Sequence, residues 1–440
     1  MALTLNDDQL GPPRQKRSER PSERRMAPAI LQLVSTFPPL SQTFVMREVR
    51  QLRLEGWNLL IGMLRPLHRN TPARGFEDLV PFVSQATWVS ADMFAGILFF
   101  LVLRPGRVWQ CLKLIAKSIA RPGCIPKMLY TLFSSMRLAF RFRNSPPALI
   151  RASFLHTEAL AARFMGELLK VPYAVTVYTV TLLYPKGVIL EIINHADFLI
   201  ADTRQVRGYL ESLDADPNRI SVVYNSVNIE EFPVRNPASQ APPVILAVGR
   251  LDPKKGFDVL VSACSVLCSR GVKYHCVIAG EGSEHRRLVA MRQRLGLQDH
   301  VVLLGKLDFE EIRSWYYKAD IFAMPSVVTS EGETDGLPTV VVEAMASGLP
   351  VVGTTTGAIP EAVNEGVNGF LVPPNDPNAL ADHLQILVEQ EELRERLGRE
   401  GRQIAEVQFD LKRKGEKLSN LIEGYLHSSH KSRFESLEAV

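Results

Sequence analysis

Short apolar runs, each followed by a stretch of helical periodicity, recur along most of the chain. PAILQLVS (28–35) reads as a first buried strand; the loop TFPPLSQ follows it, with a helix expected from about Thr43. YAVTVY (173–178), DFLIA (197–201) and ISVVYN (220–225) repeat the strand pattern, and the residues between them predict helices over 157–169 and 203–213. A Pro-rich stretch, EFPVRNPASQAPP (231–243), is the best linker candidate. Beyond it the alternation restarts with VILAVGR, HCVIAGEG, VVLLG, DIFAMPS and PVVGT, each followed by a helical pattern. From about Ala379 to Leu426 the chain is helical and charged, with pairs at helical spacing.

Strands alternating with helices imply parallel βαβ units. The expected fold is therefore α/β: two Rossmann-like domains in tandem, with ligands at the carboxyl ends of the strands and a cleft between the facing sheets. A length of 440 residues fits two domains of about 200 residues each. The expected boundaries are a basic tail over 1–27, a first domain over 28–235 and a second over 236–405. A C-terminal helix over 406–428, returning to the first domain, and a tail over 429–440 complete the chain.

Composition narrows this only in places. The net charge of +4 says little about partners, but its distribution says more. Between Asp92 and Glu158 there is no acidic residue, while Arg104, Arg107, Lys113, Lys117, Arg121, Lys127, Arg137, Arg141, Arg143 and Arg151 alternate with Leu, Ile, Phe and Trp109. Such a segment suits an anionic membrane surface; a nucleic acid or a plain basic helical face are the alternatives. MFAGILFFLVL (93–103) is shorter than the ~20 apolar residues of a membrane span and reads as a buried or interfacial helix. The N-terminal stretch lacks the apolar core of a secretory signal and reads as a disordered, charged extension. Cys111, Cys124, Cys264, Cys268 and Cys276 form no CxxC pair, so neither a zinc site nor a disulfide framework is indicated; reduced thiols in a cytoplasmic compartment are expected.

Candidate chemistry concentrates in GETDGLPTVVVEAMASGLPVV (332–352). Pro338 suits the first position of a helix and Gly348 its end. Gly336 and Leu337 then lie in the loop feeding the helix N-terminus, where unpaired N–H groups and the dipole favour phosphate. Gly336 lets backbone approach a ligand. Glu343, further along the helix, suits ribose hydroxyls. Arg250 and Lys255, just after a strand, are placed to meet a diphosphate. Gly280, in the turn AGEGSE, is a second, weaker candidate. Asp214 and Asp216 in LDADPNR resemble paired metal ligands, but Asp216-Pro-Asn reads better as a turn.

GRLDPKKG, IAGEG, VVLLGKL, YYKADIFAMPS, DGLPTVVVEAMASGLPVVGTTTGAIPEAV and GVNGFLVPPND resemble, in order and spacing over about 180 residues, the nucleotide-sugar half of family-four retaining glycosyltransferases of the GT-B fold. STFPPLSQTFV resembles the early loop of the colanic-acid and amylovoran type of exopolysaccharide glycosyltransferase. The resemblance implies a hexosyltransferase that moves a sugar from a nucleotide-diphosphate sugar to a growing, lipid-linked polysaccharide with retention. The donor is a substrate; no cofactor or metal is implied. Implied partners are the donor, that acceptor and the anionic inner face of the cell membrane, and no nucleic acid.

By the same resemblance, Asp335 and the amides after it hold the donor sugar, and Glu343 holds the ribose. Arg250 and Lys255 stabilise the leaving diphosphate, Gly305 and Lys306 face the base, and Ser41, Gln42 and Thr43 face the acceptor. The first half departs from the family: Arg151-Ala-Ser153-Phe stands in place of a His-Ala-His-Phe pattern. Tyr178 and Thr181 stand near the places of an active-site histidine and aspartate. Tyr178 can donate a hydrogen bond to a sugar but is a weak base near neutral pH. A catalytically degenerate nucleotide-sugar-binding subunit is the alternative reading.

Overall fold

A computed structural model describes residues 28–37, 43–66, 75–84, 90–119, 121–178, 184–234 and 242–438, apart from the side chains of Thr43 and of 429–438. The first half contributes β1 (Ile30–Val34), β2 (Leu59–Met63), β3 (Val83–Ser84), β4 (Leu149–Ser153), β5 (Tyr173–Val177), β6 (Phe198–Ala201) and β7 (Ile220–Val222). All pairings are parallel, in the order β3-β2-β1-β4-β5-β6-β7. Its helices are α1 (Thr43–Leu54), α2 (Ala91–Leu103), α3 (Pro105–Ala116), α4 (Ile125–Arg141), α5 (Thr157–Leu169), α6 (Lys186–Asn194) and α7 (Arg204–Ser212). β1, β4 and β5 are buried along their whole length, as expected of strands covered on both faces.

The second half repeats the plan. Its strands are β8 (Val244–Val248), β9 (His275–Ala279), β10 (Val301–Gly305), β11 (Ile321–Met324), β12 (Val351–Thr354) and β13 (Gly369–Val372). They pair in parallel as β10-β9-β8-β11-β12-β13. The helices are α8 (Phe257–Ser269), α9 (His285–Arg294), α10 (Phe309–Lys318), α11 (Thr339–Ala346), α12 (Pro377–Glu389), α13 (Glu391–Gln408) and α14 (Leu411–Glu438). In each sheet the strand order reverses beside the first strand, β1 or β8, which places a crevice at the carboxyl ends there.

The chain passes between the sheets earlier than the Pro-rich stretch suggests. Val227, Ile229 and Phe232 already pack in the core of the second half, and residues 235–241 lie outside the description. The return passage is bonded to the outward one: the Val227 N–H donates to the Phe409 carbonyl (3.0 Å), and the Leu411 N–H to the Val227 carbonyl (2.9 Å). α14 does return to the first half. Leu418 and Ile422 are fully buried in its core, the Trp57 indole donates to Ser419 (2.9 Å) and Tyr425 donates to Asp197 (2.5 Å). The helix starts at Leu411 and continues to Glu438, so the tail expected over 429–440 is helical through that residue. The tail expected over 1–27 lies outside the described residues.

α2 is half buried and half exposed. Gly96 sits where a Cβ would meet the Met136 carbonyl at 2.7 Å, which lets α2 press on α4. The other face carries Phe94, Leu98, Leu101 and Val102, exposed by 62%, 65%, 51% and 63%. No helix among the described residues is long and apolar enough to cross a membrane.

Candidate functional site

The carboxyl ends of both sheets line one cavity of about 640 Å³. From the second half come Arg250, Asp335, Gly336, Leu337 and Glu343; from the first, Phe44, Arg47, Phe154, Tyr178 and Asp202. A second hollow of about 360 Å³ shares Arg250 with it and adds Gly280 and Lys306.

The second-half wall is built around α11. Pro338 takes the cap position (φ −65°, ψ 126°), one residue before the helical position expected for it. At the other end the Leu349 N–H reaches the Ala344 carbonyl (3.0 Å) and the Gly348 N–H that of Met345 (2.9 Å); Gly348, at φ 75°, makes this closure possible. Before the helix, the buried Asp335 carboxylate faces Lys255 (2.9 Å) and Lys254 (3.7 Å) and accepts from the Ser326 hydroxyl (2.9 Å). Its backbone is braced by Gly357 (φ 61°), where a Cβ would stand 2.1 Å from the Asp335 carbonyl.

Glu343 accepts from the Tyr316 hydroxyl at 2.9 Å. Burial pushes its carboxyl above the ordinary range, against the pull of that hydroxyl and of Arg47. Arg250 is exposed and pairs with Asp252 at 3.0 Å. Gly280 donates to the Gly305 carbonyl (2.8 Å), and a Cβ on Gly280 would strike the Gly249 carbonyl at 1.8 Å; these glycines draw the ends of β8, β9 and β10 together.

Of the residues expected at the site, Arg250, Asp335, Gly336, Leu337, Glu343, Tyr178, Gly280 and Lys306 therefore line the two hollows. Lys255 is one ion pair away, and Gly305 one hydrogen bond away. Ser41 lies outside the described residues, as does Thr181; Thr43 opens α1, with its side chain outside the description. Tyr178 stands in the wall of the cavity. It is buried between Phe44 and Phe154 (centroids 4.8 and 4.9 Å), and its hydroxyl turns toward Glu48 at 3.4 Å. Burial and the Glu48 charge drive its pKa well above that of a free tyrosine, in keeping with the weak base expected of it.

Arg151 is buried and is not among the residues that line either hollow. Arg151, Glu48 of α1 and Lys414 of α14 form a buried ion triad: Arg151 bonds Glu48 Oε1, and Lys414 Nζ lies 2.8 Å from Oε2. Burial alone would raise the Glu48 carboxyl; Lys414 and Arg151 hold it at about 2. The site reading from sequence passed over Glu48, Lys414, Phe44, Arg47 and Asp202. The last had a usable signal, since an acid directly after DFLIA stands at the carboxyl end of a strand, as Arg250 does two residues after VILAV.

Residues 228–404 match the model of the family described as glycosyl transferases group 1. The second half is a group 1 glycosyltransferase domain. WcaL of Salmonella typhimurium, a putative colanic acid biosynthesis glycosyltransferase, is 33% identical over 195 residues, 44% of this chain and 48% of that protein. AmsK of Erwinia amylovora, an amylovoran biosynthesis glycosyltransferase, is 34% identical over 186 residues, 42% of this chain and 46% of that protein. The matched part thus spans about half the length of these relatives. Solved structures extend the likeness to nearly the whole chain. Anabaena HepE in complex with UDP has a TM-score of 0.68 at 17% identity, covering 90% of this chain and all of that one. Sucrose-phosphate synthase of Thermosynechococcus elongatus has 0.67 at 19%, covering 91% and 100%. The fold is GT-B.

Proposed function

We propose that this group 1 glycosyltransferase of exopolysaccharide biosynthesis moves a hexose from a nucleotide-diphosphate sugar to a growing, lipid-linked polysaccharide, with retention of configuration. The observation that carries the reading is the cavity in which Arg250, Asp335, Glu343 and the start of α11 meet, with Lys255 on Asp335. In this reading the amides after Asp335 and the exposed Arg250 receive the diphosphate, and Glu343 takes the ribose hydroxyls. Lys255, released in part from Asp335, steadies the charge that develops on the leaving group. Gly305 and Lys306 face the base. Two cations and a helix start supply the positive field, so the donor site requires no metal.

The acceptor's lipid end belongs, in the same reading, at an anionic membrane on the cytoplasmic side. α2 presents Phe94, Leu98, Leu101 and Val102, α3 adds the exposed Trp109, and Arg104, Lys113 and Arg121 stand exposed around them. Not all of the basic segment serves: Arg137 is buried and donates to the Met63 carbonyl, and Arg141 pairs with Asp92 (2.7 Å).

The test is incubation of the purified chain with UDP- and GDP-hexoses and lipid-diphosphate sugar acceptors, with and without a chelator. Product with the donor's anomeric configuration, formed with the chelator present, is expected. Donor binding without transfer to any acceptor would favour a binding subunit instead.

A further inference from the structure

Another hollow, of about 480 Å³, lies where the chain crosses between the two halves. Tyr224 and Ser226 of the outward passage line it, with Gln408 of the return, Arg204 at the start of α7 and the first turns of α14. Ser226 also stands in the wall of the large cavity.

Charge in this hollow is unbalanced. The first turn of α14 holds Lys412, Arg413 and Lys414 and no acid, at the end where the helix dipole already places positive charge. Lys412 has Glu230 (2.6 Å), and the buried Lys414 has Glu48 (2.8 Å). Arg413, which lines the hollow, has no ion pair among the described residues; nor do Lys417 and Arg204, which line it too. Arg413 and Lys417 stand four residues apart on one face of α14, a spacing at which like charges weaken a helix. The acid on this wall, Glu416, is exposed and likewise unpaired among the described residues. The nearby Glu361 is occupied: it accepts from the Arg204 and Gln205 N–H groups (2.7 and 2.8 Å) and from the Tyr224 hydroxyl (3.0 Å). The side-chain amides of Gln408 and Asn420, also on the wall, are unbonded among the described residues. The fold gains nothing from gathering these cations without a counter-charge; an anion would turn their repulsion into charge-assisted bonds. Two guanidinium forks and an ammonium suit the several oxygens of a phosphate group, and the volume suits a small molecule.

We infer that this hollow binds a small phosphate-bearing anion, held by Arg204 from the first half and by Arg413 and Lys417 from α14, with Gln408 and Asn420 donating to its remaining oxygens. Such an occupant fastens α7 to α14 across the crossing. The inference stands independently of what the large cavity binds.

Inorganic pyrophosphate and glucose 1-phosphate are the probes, used on the full chain. Hydrogen-exchange mass spectrometry should show at least one of them slowing exchange over 204–210 and 408–420 in the wild type, and not in the double variant Arg413→Ala, Lys417→Ala. By calorimetry the double variant should bind that probe about tenfold or more weakly. Its thermal midpoint without anion should stay level or rise, because a repelling pair on an exposed helix face has been removed. Either probe supports the site, and the tighter one tells whether a sugar ring or a second phosphate is recognised. Binding of neither probe, equal affinity in the variant, or protection confined to residues around 250 and 335–343 would each overturn the assignment. So would a fall in the variant's midpoint, which would show that the cations serve the fold.

Discussion

Asp335 and Lys255 hold each other at 2.9 Å, so neither can be altered without exposing the other. Lys255→Ala should lower kcat about 100- to 1,000-fold, the usual loss for one preorganised donor, with a smaller change in donor affinity. Steady-state kinetics with the preferred donor decides it; an equal loss in both constants would make Lys255 a ground-state contact. The Glu48 triad gives a prediction about pH. Its carboxyl sits at about 2 in the fold against 4.5 ordinarily, so its stabilising effect is complete above about pH 4.5 and is lost as pH falls toward 2. Glu48→Gln should flatten the stability loss across that window and cost about 3–5 kcal/mol at neutral pH, because Arg151 and Lys414 remain buried without their partner. Urea melts at several pH values measure both effects. The triad was illegible in the sequence because its members come from α1, β4 and α14, and only the packing of α14 unites them. Arg250, Asp335 and Glu343 were legible because their signals are local: Arg250 follows a strand, Asp335 lies in the loop that feeds α11, and Glu343 is on that helix.

Strands such as β1, β5, β8 and β11 announce themselves because both faces are covered and the runs are continuously apolar. β3, two residues long, is too short for such a run, and β13 opens on Gly369 and is fully buried only at its two ends. α2 shows what hydropathy leaves open: MFAGILFFLVL fits burial and an interface equally well, and Gly96 decides which side faces α4. Gly96→Ala should destabilise the fold by about 1–3 kcal/mol, read from the urea midpoint, because the added methyl meets backbone that cannot retreat as a side chain would. On the open side, Arg104→Glu, Lys113→Glu and Arg121→Glu together should weaken binding to phosphatidylserine vesicles at least 100-fold, at about 1 kcal/mol per lost cation. Undiminished sedimentation with the vesicles would count against a membrane face.

On the scale of the molecule, two parallel sheets turn their carboxyl ends to one cavity, and α14 ties the second half back to the first. The alternation of strands and helices made this architecture legible. The position of the passage did not follow from composition, because Val227 and Phe232 are apolar anchors that lie ahead of the prolines. In the proposed function α11, Asp335 and Glu343 seat a nucleotide sugar. The most direct test is titration calorimetry of the wild type and Glu343→Ala with a panel of UDP-, GDP-, ADP- and dTDP-sugars. Micromolar binding of at least one donor is expected, with a loss of about tenfold or more in the variant. No binding by any donor at millimolar concentration, or equal affinity in the variant, would contradict it.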